Sequence, residues 1–176
     1  MKLPPKAGHR FLAQGEKLYL QPNRVYRFKV AGCILLALAG FGVALTKIVS
    51  YDMQVLCQVL SIIVLAYAVF DTLFRVNLTY IFDGGQQQVY RKFPGLFTQK
   101  LMPFNEVCIL PETEHGSLRY SLSRKRNKFG KSFPLSDFFS GSKKGEKRQL
   151  QFEEEILATI VTFVEARSTS TPNLSL

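Results

Sequence analysis

Histidine and cysteine are scarce in this chain of 176 residues, with two of the first and three of the second. His9 lies in a basic N-terminal arm, and His115 in a turn beside Glu112 and Glu114. One imidazole and two carboxylates are chemically able to hold a metal, but in a turn they read as solvated side chains. Cys33, Cys57 and Cys108 show neither a CxxC pair nor metal-ligand spacing, so they read as free thiols behaving as small hydrophobes. The chain also lacks a G-x-S-x-G elbow, a Walker A loop, an H-E-x-x-H helix and a Gly-rich nucleotide fingerprint. These absences point away from catalysis, and no metal, cofactor or catalytic residue is expected. The length excludes a large multidomain enzyme.

Charge is missing from the middle of the chain. The formal net charge is +10 and 47% of residues are hydrophobic, yet the mean hydropathy is close to zero, at +0.05. Apolar and basic residues must therefore be segregated. Residues 1–29 carry Lys2, Lys6, Arg10, Lys17, Arg24, Arg27 and Lys29 against a single acid, Glu16. Val30 to Leu45 (VAGCILLALAGFGVAL) is uncharged, and so is Met53 to Phe70 (MQVLCQVLSIIVLAYAVF), with Lys47 and a Ser50-Tyr51-Asp52 break between them. Each run with its ends reaches about 20 residues, or roughly 30 Å as a helix, the thickness of a hydrocarbon core. The pattern predicts a transmembrane helical hairpin over 30–76, with spans at 30–50 and 53–75. A buried hairpin in a water-soluble protein is the competing reading, but so short a chain lacks the mass to cover two all-apolar helices. A cleaved signal peptide is disfavoured, because the first run is long and a second follows at once.

Basic residues flank the hairpin on its open side: the N-terminal arm before it, and Arg75, Arg91 and Lys92 after it. The closed end offers only Lys47, which can snorkel, against Asp52. Both termini are therefore expected in the cytoplasm. Asp71 and Arg75, spaced i, i+4, share a helix face at the end of the second span. They read as an interfacial ion pair in preference to an ion- or proton-handling pair. Gln54, Gln58 and Ser61 offer hydrogen bonds to the first helix or to a partner. Gly40-x-x-x-Ala44 is a small-xxx-small pair suited to close helix packing.

Beyond Arg75 the period changes. Alternating strands are expected at Leu78–Phe82, Val89–Phe93, Phe97–Met102, Val107–Leu110, Leu118–Leu122 and Ser132–Leu135. Asp83-Gly84-Gly85, Pro94-Gly95 and His115-Gly116 supply the turns. Two basic loops follow, one with Arg119, Arg124, Lys125, Arg126, Lys128 and Lys131, the other with Lys143, Lys144, Lys147 and Arg148. Phe152, Ile156, Ile160, Phe163 and Val164 form a helical stripe, with Glu153, Glu154 and Glu155 expected in its first turn. Residues 167–176 read as a disordered tail. The N-terminal segment 11–28 mixes aromatic, aliphatic and basic residues, and reads as an arm lying along the membrane interface until Asn23 caps the first span.

Two apolar spans, antiparallel strands and a closing helix resemble bacterial membrane proteins with a cytoplasmic pleckstrin-homology-like (PH-like) domain. The stretch Leu78–Leu110 (LTYIFDGGQQQVYRKFPGLFTQKLMPFNEVCIL) is similar to theirs, and the photosystem I assembly factor family shares the architecture. The resemblance covers residues 24–166 and carries no diagnostic functional motif. It implies an α+β membrane protein, with the hairpin followed by a PH-like antiparallel β-barrel or sandwich over 77–166, capped by a C-terminal α-helix, in a bacterial inner membrane. Members that bind phosphoinositides carry basic residues on the first hairpin loop. Here that loop is Gly84-Gly85-Gln86-Gln87-Gln88, uncharged, which argues against inositol phosphate binding there.

The expected function is a non-enzymatic membrane scaffold, an accessory or assembly subunit that binds another membrane or cytoplasmic protein or a second copy of itself. The alternatives are an immunity protein against a membrane-acting toxin, and a sensor of anionic lipids acting through the basic loops. So close to a membrane, lipid headgroups are a nearer partner than nucleic acid, at about 1 kcal/mol per basic residue.

Overall fold

The computed structural model describes residues 10–46, 49–93, 95–126 and 131–168. The expectations for His9, Lys47, Lys128 and the end of the tail fall outside those residues.

Two helices dominate the first half. Helix α1 (Arg27–Leu45) follows a single 3-10 turn at Arg24–Tyr26. Helix α2 (Tyr51–Asp71) continues through a π-helical turn, Thr72–Val76. Both are long and apolar enough to cross a membrane. Only 17% and 11% of the residues in their most apolar stretches are buried, so this chain does not cover them as a soluble core would. Small residues line their contact. Ala37 and Ala44 of α1 and Ser61 and Ala68 of α2 are buried, and a Cβ on Gly40 would overlap the Ser61 hydroxyl. The Gln54 side chain donates to the Thr46 and Val49 carbonyls, both at 3.0 Å, and so ties the connection at the closed end. Gln58 is exposed.

The segment 10–21 is not an interfacial arm. Arg10–Gln14 (β1) and Lys17–Gln21 (β2) form a hairpin, and β2 pairs with β3 (Thr79–Asp83) across the whole helical insertion. The alternation of Leu18 and Leu20, both buried, with Lys17 and Tyr19 supplies a core-facing edge that an arm would have left in water. Strands β4 (Gln88–Phe93) and β5 (Phe97–Pro103) complete a five-stranded antiparallel sheet in the order β1-β2-β3-β4-β5. Asn23 does not cap the first span; its side chain instead donates to the Arg75 carbonyl at 3.1 Å.

A 3-10 turn at Phe104–Glu106 leads to the second sheet, in which β6 (Val107–Glu114) pairs with β7 (Ser117–Arg124). Strand β7 also pairs with the short β8 (Phe133–Pro134) and β9 (Phe139–Ser140). The expected barrel does not close. Among the described residues no strand pair joins the two sheets. The Phe104 N–H is drawn to the Gln87 carbonyl at 2.9 Å, which turns the chain out of the first sheet before β6 begins. Arg124 links them instead, donating to the Leu101 carbonyl and facing Glu106 at 3.7 Å.

The C-terminal helix begins earlier than its apolar stripe. Helix α3 (Lys143–Phe152) runs through a π turn, Glu153–Leu157, into α4 (Ala158–Ser168). The Ser142 hydroxyl accepts the Gly145 N–H at 3.2 Å as an N-cap. Glu153, Glu154 and Glu155 consequently sit mid-helix, not in the first turn. The Phe152, Ile156, Ile160 and Val164 stripe packs on both sheets, against Leu20, Phe82, Val89, Met102 and Leu122 in one core.

Tyr80 is fully buried in that core, and its hydroxyl has no hydrogen-bond partner among the described residues. Burial, eased slightly by Arg91, pushes the phenol up to about 12. The folded chain thus holds this proton more tightly than the unfolded one. The resulting stability is complete below the ordinary phenol value of 10.0 and is lost as pH rises through about 12. Tyr80→Phe removes the orphaned hydroxyl and is expected to raise stability by on the order of 1 kcal/mol. It should also remove one late phenolate step at 295 nm. Chemical unfolding in detergent with an alkaline titration checks both, and a clear loss of stability would contradict the unpaired hydroxyl.

Candidate functional site

The sequence-predicted basic residues divide into engaged and free groups. Arg119 is engaged: its Nε and Nη2 reach Glu112 Oε2 at 2.7 and 2.6 Å, and its guanidinium lies 4.8 Å from the Phe138 ring centre. Burial opposes ionisation of Glu112, but Ser132 and the Arg119 guanidinium outweigh it and hold the carboxyl below its ordinary range. Arg124 serves the bridge between sheets. Lys125 has its backbone N–H on the Glu106 carbonyl at 2.8 Å. Arg126 and Lys131 are exposed.

Lys143, Lys144, Lys147 and Arg148 are not in a loop. They occupy one exposed face of α3, opposite the buried Gly145, Phe152 and Ile156. A period of 3.6 residues brings positions i, i+1, i+4 and i+5 onto one side, so four cations share one stripe.

The sheet register shows which end of the fold this stripe occupies. The chain leaves the first sheet at Gln21 and re-enters at Thr79, and these side chains hydrogen-bond at 3.0 Å. Thr79, Lys92 and Thr98 follow one another across the strands at this hairpin end. At the far end are the Gly15–Glu16 and Gly84–Gln87 turns. There the Lys17 ammonium holds Asp83 at 2.8 Å, and the Gln87 side chain donates to the Arg167 carbonyl at 2.9 Å. Burial opposes the Asp83 charge, but Lys17 and the Gln86 and Gly85 N–H groups outweigh it, so its carboxyl titrates below the usual range. A Cβ on Gly84 would overlap Arg167, so the uncharged turn is occupied by the protein's own helix end. With Arg167 at the far end and the helix about 39 Å long at 1.5 Å per residue, Lys143 stands at the helix's other end, next to the chain that enters α3 from the Asp137 loop.

A second contact agrees. At the root of α1 the Tyr26 hydroxyl donates to Asp137 Oδ1 at 2.7 Å, from the loop just before β9 and α3. Burial, then the hydrogen bond and charge of Asp137, push the Tyr26 phenol up to about 12. Beside it Arg75 Nη1 lies 3.3 Å from Asp71 Oδ1. Asp71 is 8% exposed, whereas the Arg75 side chain remains mostly in the open. The structure therefore brings Asp71 and Arg75 together as spaced, and adds Tyr26, Asn23 and Asp137, which no local pattern linked to them. The arrangement fastens the helical hairpin to the second sheet.

A groove of about 320 Å³ lies between β6 and α4, lined by Val107, Ile109, Ile160 and Val164 with Cys108 and Lys125 at its wall. It offers apolar packing and no convergent set of polar groups. Among the described residues, no group of three or more His, Cys, Asp or Glu is arranged to hold a metal.

Compared with known proteins, the chain matches no family model and no curated relative.

Proposed function

We propose that this chain is a non-enzymatic integral membrane protein. Its apolar hairpin anchors a PH-like β module that serves as scaffold, accessory or assembly subunit of a membrane complex. The observation that carries the proposal is the pairing of β2 with β3. The residues before and after the hairpin belong to one sheet, so an inserted hairpin must emerge with both flanks in one compartment. The bias of Arg24, Arg27, Lys29, Arg75 and Lys92 toward that side supports reading it as the cytoplasmic face, and the resemblance to bacterial two-span proteins supports an inner membrane. The contacts at Tyr26, Asn23 and Gln21 hold the module in one attitude to the bilayer, which suits a platform presented to another protein. Crosslinking in native membranes followed by purification in mild detergent should recover a stoichiometric protein partner. Recovery of the chain alone, under conditions that preserve known complexes of the same membrane, would remove the scaffold reading.

A second reading, attraction of anionic lipid headgroups, is favoured by the α3 stripe at the hairpin end. In vesicles of the full chain, amine labelling of Lys143, Lys144 and Lys147 should slow when phosphatidylglycerol replaces part of the phosphatidylcholine, and recover at high salt. Equal labelling in both vesicle types would leave this face as a solvated surface.

A further inference from the structure

The β4–β5 turn lies at the hairpin end of the first sheet and does not resemble an ordinary polar turn. Leu96 and Phe97 are 50% and 54% exposed. A ladder of rings connects them to the second apolar helix: Phe97 to Phe93 at 4.9 Å between centroids, Phe93 to Phe74 at 6.1 Å, Phe74 to Phe70 at 4.8 Å. Phe70 and Leu73 are themselves exposed, so apolar surface on the flank of α2 and on the turn is joined through the half-buried Phe74 and buried Phe93 rings into one strip. Cations border it. Arg75 is mostly open, Lys92 at the end of β4 is exposed, and the Arg91 guanidinium covers the Phe93 ring at 4.6 Å.

We infer that this turn, with Leu96 and Phe97 exposed and the buried Phe93 ring behind them, is a second membrane contact: an apolar wedge that enters the interfacial layer of the bilayer crossed by α1 and α2. The inference rests on the anchoring reading above. Three features select lipid as the occupant. The strip is continuous with the helix surface that hydrocarbon would solvate. Its rim is basic, matching anionic headgroups. Aromatic and aliphatic side chains beside a span end are stabilised at the depth where acyl chains meet headgroups. The wedge would give the β module a third point of attachment beside the two chain crossings and prevent it from swinging about the hairpin root.

The chain has no tryptophan, so a single introduced indole is its only emitter under 295 nm excitation. The full chain is reconstituted in phosphatidylcholine–phosphatidylglycerol vesicles with Leu36→Trp in α1, Leu96→Trp in the turn, or Gln86→Trp in the turn at the far end of β3 and β4. The acyl chains are then exchanged for brominated ones. Leu36→Trp and Leu96→Trp should both lose most of their emission, Leu96→Trp should be blue-shifted, and Gln86→Trp should keep its intensity. Phe97→Trp, a closer match in shape, should repeat the Leu96→Trp result and covers the case in which Leu96→Trp misfolds. If Leu36→Trp is quenched while Leu96→Trp and Phe97→Trp are not, the wedge is overturned and the anchor stands. Failure of Leu36→Trp itself overturns both. A blue-shifted turn emitter that bromine does not quench would mean that a second copy of the chain covers it, and would also overturn the wedge.

Discussion

A chain cut back to residues 77–176 is expected not to fold. On sequence alone that block looks self-sufficient, with strands, turns and a closing helix. In the fold it lacks β1 and β2, and with them Phe11, Leu18 and Leu20, all buried in the shared core. At about 1.5–3 kcal/mol for each buried large side chain, the loss is roughly 5–9 kcal/mol. That equals much of the stability of an ordinary domain, about 5–15 kcal/mol. The cut also bares the edge of β3, whose backbone groups pair with β2. The truncated block should show no cooperative urea transition and a strong tendency to aggregate. Joining residues 10–21 to residue 79 through a short flexible linker in place of the hairpin should restore a cooperative transition, because Gln21 and Thr79 are already in contact. A cooperative, soluble 77–176 block would show that the β1–β2 hairpin is dispensable.

Gly145→Ala is the second large effect, and its sign separates local propensity from tertiary packing. Inside a helix, Ala is favoured over Gly by about 1 kcal/mol, so propensity alone predicts a gain. Gly145 is buried where α3 crosses the end of β9, and a Cβ there would overlap the Ser140 carbonyl oxygen, a backbone atom that β9 pairing holds in place. Overpacking of this kind costs roughly 1–3 kcal/mol or more. The start of α3 would have to move, and the Ser142 cap and the basic stripe would move with it. Chemical unfolding of the full chain in detergent should therefore show Gly145→Ala as less stable than the parent. Equal or greater stability would mean that α3 does not lie this close to Ser140.

Several elements were legible in the chain itself. Two uncharged runs separated by Ser50-Tyr51-Asp52 mark the helices. The alternation from Leu78 to Leu122 marks β3 to β7, and Asp83-Gly84-Gly85 marks a turn in which Asp83 Oδ1 accepts the Gly85 N–H at 3.1 Å. The i, i+4 spacing of Asp71 and Arg75 was enough to pair them. These features repeat over a few residues, so neighbouring side chains alone dictate them.

The rest depended on partners distant in sequence. Strand β2 has its own alternation, but its flanking cations and its place before an apolar span made it look like an interfacial arm; only β3, beyond the hairpin, makes it a strand of the sheet. The first turns of α3 carry lysines and a glycine and have no apolar stripe, so the Ser142 cap and the close approach to Ser140 define them. The basic residues could be counted but not sorted. Arg119 is held by Glu112 and Arg124 by the Leu101 carbonyl, while Lys143, Lys144, Lys147 and Arg148 remain free to face outward. Local periodicity determined which segments are helix or strand. Burial against remote segments determined where the sheets end, which cations are engaged, and which end of the fold meets the hairpin, because those depend on contacts that no short window of sequence contains.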